Sequence, residues 1–255
     1  MGGQPGIAAA PAPALQVQAL AKRYGELDAL AGVSFEVQPG EAFGLVGANG
    51  AGKTTLIKCA LDLISPEGGS VHLFGLDRRL PASRARVAYV PERFAPPYYL
   101  SAREFISLMS RLAGGAPDEE RTGAVLDALE LEREALSRPV RKLSKGMTQK
   151  LGLAASFLLE RDLYVLDEPM SGLDPVARVA VKSLLRRLAA EGKTLFFTSH
   201  VLSDVEELCS SVAVLHRGRL LFRGAPAALC ARYGEPRLEA AFVRCIRDEP
   251  ATARP

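Results

Sequence analysis

The chain has 255 residues, 48% of them apolar and 24% charged, with a net charge of +3. That composition suits a globular protein with one large core or two small ones, and so mild a charge excludes the strongly basic face of a nucleic-acid binder. No apolar run reaches the ~20 residues that cross a bilayer, so a membrane role would have to be peripheral.

The opening stretch, MGGQPGIAAAPAPA, lacks the charged and apolar regions of a signal peptide. Gly6 stands where an acylation motif needs Ser or Thr. Residues 1–14 are therefore expected to form a disordered Ala/Pro tail. Order is expected from Leu15, where LQVQAL alternates apolar and polar residues as a half-buried strand does. VSFEVQPGE repeats the pattern and ends in a Pro-Gly turn. AFGLVG is a short apolar run leading into glycines, the mark of a strand buried on both faces. VHLFG and RVAYVPE are further strands. From residue 101 to about 160 the period becomes helical. SAREFISLMSRLAG spaces Phe105, Ile106, Leu108, Met109 and Leu112 along one face, and Ser101 with Glu104 makes a capping box. EERTGAVLDALELE and GMTQKLGLAASFLLE continue the helical block. Strands return at LYVLDE, TLFFTS and VAVLH, with helices at Pro175–Ala190 and 201–208 between them. The C-terminal stretch LEAAFVRCIRDEPATARP starts as a short amphipathic helix and then turns disordered. Strands alternating with helices imply an α/β fold with a parallel sheet, interrupted here by an all-helical block. Cys59, Cys209, Cys230 and Cys245 form no C-x-x-C pair, which fits a reduced cytosolic protein.

Chemistry concentrates at three strand ends. GANGAGKTT follows a predicted strand, precedes a predicted helix and matches G-x-x-x-x-G-K-[ST]. Its backbone N–H groups (Gly47, Ala48, Asn49, Gly50, Ala51, Gly52) can curl around phosphate oxygens. Lys53 adds a charge for the β- and γ-phosphates, Thr54 offers Mg²⁺ a hydroxyl, and Thr55 completes the helix start with its dipole. In LYVLDEP, Asp167 emerges at the C-terminal end of a buried strand, where ligands of α/β sheets gather. Asp167 can hold Mg²⁺ through water, and Glu168 can orient or deprotonate an attacking water. His200 follows TLFFTS on the same edge, within reach of a γ-phosphate. A fourth stretch, LSKGMTQK at residues 143–150, places small residues at a helix start. Such starts also bind anions, although the chain already has one phosphate cradle.

Together these motifs resemble the nucleotide-binding subunit of ATP-binding cassette (ABC) transporters, over about residues 15–229. In that resemblance GANGAGKTT is the Walker A loop, LYVLDE the Walker B strand, SGLD the D-loop with Asp174, and His200 the switch histidine. Tyr24 in KRYG stands where the family sets an aromatic ring against adenine, and LSKGM stands at the signature usually written LSGGQ. The implied architecture is a P-loop, RecA-like parallel-sheet core with an antiparallel β edge. An α-helical subdomain, about 93–161, is inserted in an ATPase domain of 15–234, and a short helix and tail follow at 235–255.

The resemblance also implies a mechanism. Two subunits pack head to tail around two ATP molecules, so Ser144 and the Gly146 N–H of one chain reach the γ-phosphate held by the other, which answers why there is a second anion-binding helix start. Lys145 and Met147 replace the usual Gly and Gln, with Lys145 expected to be solvated. Glu92 in YVPER stands where the family commonly has a Mg²⁺-touching Gln, and a carboxylate is still an oxygen ligand. YVPE and LSKGM look like the branch paired with ABC-2 type permeases, mostly exporters. The implied protein is an ATPase, using ATP and Mg²⁺, that powers a separately encoded permease as a homodimer or as a heterodimer with a similar cassette. It is expected in the cytoplasm, peripheral on the inner face of the membrane. RFAPPYYLSA is either a docking surface or a packed loop. The alternatives are an ABC ATPase acting on nucleic acid or ribosomes and a regulatory module that does not turn over. No long coiled-coil insertion or strongly basic stretch favours the former, and Glu168 opposes the latter.

Overall fold

A computed structural model describes residues 11–248. The chain runs β1 (Leu15–Tyr24), β2 (Leu27–Val37), β3 (Ala42–Val46), α1 (Lys53–Ala60), β4 (Gly68–Leu73), β5 (Leu76–Asp77), α2 (Pro81–Arg84) and β6 (Val87–Val90). The helical block follows as α3 (Ala102–Leu112), α4 (Glu119–Ala128), two 3₁₀ turns and α5 (Lys145–Leu158). The chain then returns to β7 (Leu163–Leu166), α6 (Pro175–Ala190), β8 (Thr194–Ser199), α7 (Leu202–Leu208), β9 (Ser211–His216) and β10 (Arg219–Gly224), and ends in α8 (Pro226–Tyr233) and α9 (Leu238–Arg247). Disorder expected at residues 1–10 and 249–255 lies outside the described residues. At the inner edge of the expected N-terminal tail, Ala14 is fully buried and donates its N–H to the Val37 carbonyl.

Two sheets organise these elements. β2-β1-β4-β5 is antiparallel, and β10-β9-β3-β8-β7-β6 is parallel except for the antiparallel edge strand β10. β3, β7 and β8 are buried along their whole length, because the central sheet is covered on both faces. Alternate side chains of each strand enter different cores. Tyr164, Leu166 and Phe197 join the core shared with α3, α4, α5 and α6, while Leu163, Val165 and Phe196 join the one shared with α1 and the antiparallel sheet. The helical block is therefore continuous with one face of the central sheet. Ser101 and Glu104 cap α3 reciprocally, as their spacing predicts.

Four elements escape the sequence reading: β5, α2, β10 and α8. β5 and α2 are too short to show a period. β10 has three half-buried apolar residues between arginines, and α8 is largely exposed. β2 also begins earlier than its apolar pattern, because the Gly25-Glu26 turn, with Gly25 at φ 59°, pairs Tyr24 with Leu27 on an exposed hairpin.

An aromatic cluster joins the two sheets. The Phe43 ring lies 5.3 Å from Phe35 of β2 and 5.8 Å from Phe196 of β8. Phe43→Ala should cost about 3–5 kcal/mol by denaturant unfolding; a loss below about 1 kcal/mol, less than a poorly filled core site costs, would mean that the sheets are not held together here.

Candidate functional site: a phosphate-type cleft at the sheet edge

The register aligns Val46 of β3 with Ser199 of β8, and Leu166 of β7 with Phe197 of β8. The loop after β3, the Asp167-Glu168 pair after β7 and His200 after β8 therefore emerge side by side. Two glycines of the loop admit no side chain. A Cβ on Gly47 would stand 2.3 Å from the Leu215 carbonyl oxygen, and one on Gly52, at φ 108°, 2.4 Å from that of Ala29. Lys53 folds back over the loop, its Nζ donating to the Gly47 carbonyl at 2.8 Å and approaching Ala48 O at 3.4 Å. α1 begins with no side-chain cap and no acidic residue in its first turn, so its N–H groups remain open to an anion.

The two carboxylates are held differently. Asp167 accepts from the Thr54 hydroxyl at 2.8 Å and from the Thr198 hydroxyl at 2.7 Å. Glu168 has φ +51°, a left-handed backbone rare for a residue with a side chain. Its N–H donates to Thr198 Oγ1 at 2.9 Å, its Oε2 pairs with His200 Nδ1 at 2.8 Å, and its Oε1 lies 3.9 Å from Lys53 Nζ. Burial, with the Asp167 charge adding to it, pushes the nearby Tyr89 hydroxyl up to about 12, so that group stays neutral at ordinary pH.

A cleft of about 440 Å³ opens over these groups, lined by Tyr24, residues 49–55, Glu92, Asp167, Glu168 and His200. Gly47 and Ala48 lie outside that lining and meet the lysine through their carbonyls instead. Tyr24 is half exposed, with Lys22 Nζ 5.4 Å from its ring centroid. Among the described residues no group of three or more His, Cys, Asp or Glu converges as a metal cage. The oxygen donors Thr54, Asp167 and Glu92 do line the cleft, and such a set fits Mg²⁺, which takes one or two carboxylates and completes its shell with substrate phosphates and water.

Sequence reasoning misses Thr198, whose one hydroxyl serves both Asp167 and Glu168. Its only sequence signal is its place two residues before His200 on a buried strand. Ser171 and Ala29 also line the cleft unforeseen.

Ser144, Gly146 and Asp174 do not reach this cleft. Ser144 is the N-cap of α5, its hydroxyl accepting from the Met147 N–H at 3.2 Å. Asp174 caps α6 through the Ala177 N–H at 2.9 Å, a bond that holds its carboxyl below the usual range. Lys145 is exposed, yet its stem is not simply solvated, because a Cβ on Gly172 would meet its Cε at 3.0 Å. The start of α5 and the turn before α6 thus pack together as a second surface outside the cleft.

Three kinds of relative agree with this geometry. A family model described as ABC transporter matches residues 30–171. Nod factor export ATP-binding protein I of Paraburkholderia xenovorans is 38% identical over 225 residues, covering 87% of this chain and 74% of that protein. An uncharacterized ABC transporter ATP-binding protein of Synechocystis is 40% identical over 205 residues, covering 79% of this chain and 58% of the relative, so the chain spans less than two thirds of that protein. A solved ATP-binding subunit of an ABC transporter superposes with a TM-score of 0.83 at 32% identity, covering 91% of this chain and 98% of that one. A dimeric post-hydrolysis ATP-binding cassette with ADP and Pi, 22% identical, shares the fold with a TM-score of 0.76, over 83% of this chain and 98% of that one.

Thr198→Val keeps the shape but removes the hydroxyl, leaving the Glu168 N–H buried without its partner. A stability loss of about 1–3 kcal/mol is expected by urea unfolding, together with reduced nucleotide turnover, and Thr198→Ser should retain both. Wild-type stability and turnover in Thr198→Val would contradict this account of the two carboxylates.

Proposed function

The chain belongs to the ABC transporter family as a nucleotide-binding ATPase domain, and from that premise we propose that it powers a separately encoded membrane permease by closing head to tail on a second cassette around ATP. The observation that supports this most is the division of the phosphate-binding groups. Lys53, the open start of α1 and the Glu168–His200 pair share one cleft, while Ser144 and Gly146 lie on a separate surface of the same chain. Each surface is half of a composite site, and a second copy or a similar cassette supplies the other half.

In this reading Lys53 and the loop of Gly47, Ala48, Asn49, Gly50, Ala51 and Gly52 cradle the β- and γ-phosphates, and Thr55 extends the cradle. Tyr24 stacks on adenine. Glu168 polarises the attacking water, and His200 fixes the orientation of that carboxylate and reaches the γ-phosphate. Thr54, Asp167 and Glu92 would hold Mg²⁺, which when bound neutralises charge on the phosphate oxygens. Ser144 and Gly146 cap the partner's nucleotide with the positive end of α5, and Asp174 orders the turn between the two chains. Closure draws its energy from tighter ATP binding in the closed state than in the open one.

Among the described residues no helix is long and apolar enough to cross a membrane, so contact with the bilayer would come through the permease, on the cytoplasmic face. Tyr98 and Tyr99 are 66% and 68% exposed on the loop after Glu92, which favours docking of the permease there. The relative's name, Nod factor export, supports export as the direction.

Glu168→Gln should retain ATP binding, lower hydrolysis by about 10²–10⁴-fold, and let ATP trap a dimer visible by size-exclusion chromatography. Turnover near that of the unaltered protein would remove the general-base role from Glu168.

A further inference from the structure

The strained backbone of Glu168 needs restraint from its surroundings, since a left-handed non-glycine persists only where neighbouring groups over-determine it. The Thr198 hydroxyl holds the Glu168 N–H, and the Ser171 N–H donates to the Glu168 carbonyl at 3.0 Å. A further restraint comes from another element. Gln149 of α5 is 5% exposed, and its side-chain amide donates to the carbonyl of Pro169, the residue after Glu168, at 3.2 Å. Pro169 is itself buried, so the bond is shielded from competing water. One turn earlier on the same face of α5, the Lys145 stem lies against Gly172. The helix therefore grips the 169–172 loop at two points.

We propose that Gln149 is a positioning residue for Glu168: its bond to Pro169 ties the helix that caps one nucleotide to the general base that acts on the other. The inference rests on the reading of Glu168 as general base and of Ser144 and Gly146 as caps on the partner's ATP. α5 starts at the capping residues, and Gln149 lies about one turn inside it. Seating of that helix start on the partner's γ-phosphate is transmitted through Gln149 to the carboxylate in the chain's own cleft. Each site then gains its base when the other is filled.

The test is a mutant cycle on the full chain, read by steady-state ATPase. Gln149→Met keeps length and apolar volume but cannot donate. It should lower kcat about 10–100-fold, the range expected when a reacting group is displaced by a fraction of an ångström to an ångström, with KM for ATP within about twofold. In the Glu168→Gln background the same change should leave the residual turnover and the ATP-trapped dimer as they are, because Gln149 acts through a carboxylate already removed. A further loss of turnover or of dimer in that background would mean a general structural role for Gln149 and would overturn the proposal, as would wild-type kcat in the single variant. If the Gln149→Met protein does not fold, by thermal melting, the same cycle with Gln149→Asn decides, since it keeps the amide but is one methylene too short. Near-normal turnover in Glu168→Gln alone would instead refute the general-base reading, whatever Gln149 does.

Discussion

A carboxylate with 1% of its surface in water, as Asp167 has, is costly unless its oxygens are bonded. Here one oxygen takes the Thr54 hydroxyl and the other the Thr198 hydroxyl. Those two threonines sit at the start of α1 and the end of β8, so one side chain joins three segments that are far apart in sequence. The cradle helix cannot move relative to β7 without breaking the Thr54–Asp167 bond, nor can β8 without breaking the buried Thr198–Asp167 bond. Thr198 passes the constraint to Glu168 through its N–H, and Glu168 passes it to His200. The cleft is in this sense pre-organised by a short chain of hydrogen bonds that starts at a buried charge.

A second constraint runs along α5. Lys145, Gln149 and Gly152 recur at helical spacing on one face. The first two meet the loop behind Glu168. At Gly152 a Cβ would stand 2.8 Å from the Phe94 ring, and Phe94 packs edge-on against Phe105 of α3 at 5.6 Å. Phe94 follows Glu92 by two residues. One helix therefore touches both the loop that follows Glu168 and the loop that carries Glu92 with its exposed tyrosines. Its own start holds Ser144, its N-cap, and Gly146, the residues proposed to cap the partner's nucleotide. In the proposed function, that arrangement would link nucleotide capping, hydrolysis and a docked membrane subunit through one helix.

Much of this was legible in the residues. β3, β7 and β8 announce themselves as apolar runs because both their faces are covered, and α6 has the bounds its pattern predicts, with Pro175 at its first position. The glycine-lysine cradle is legible because close backbone approach leaves few other residues possible. Thr198 was hidden for a different reason. A β-branched residue in a buried strand looks like packing, and its hydroxyl finds Asp167 only through the alignment of Leu166 with Phe197, which no local pattern sets. Gln149 was hidden similarly. The signature directs attention to Met147, where the family has its Gln, whereas the buried amide lies two residues on and faces inward. Lys145 reads as a surface charge until its stem is found against Gly172.

The central claim is that the cradle of one chain and the α5 start of another complete a single site. It is tested most directly by mixing two inactive variants, Lys53→Ala, with a damaged cradle, and Ser144→Arg, with a damaged cap. In a head-to-tail pair, a mixed dimer has one composite site with both halves damaged and one with both intact. With each variant folded and the mixed dimer demonstrated by native mass spectrometry, mixing should restore part of the ATPase activity that neither variant shows alone. No recovery in demonstrated mixed dimers, or full activity of Ser144→Arg by itself, would contradict the account.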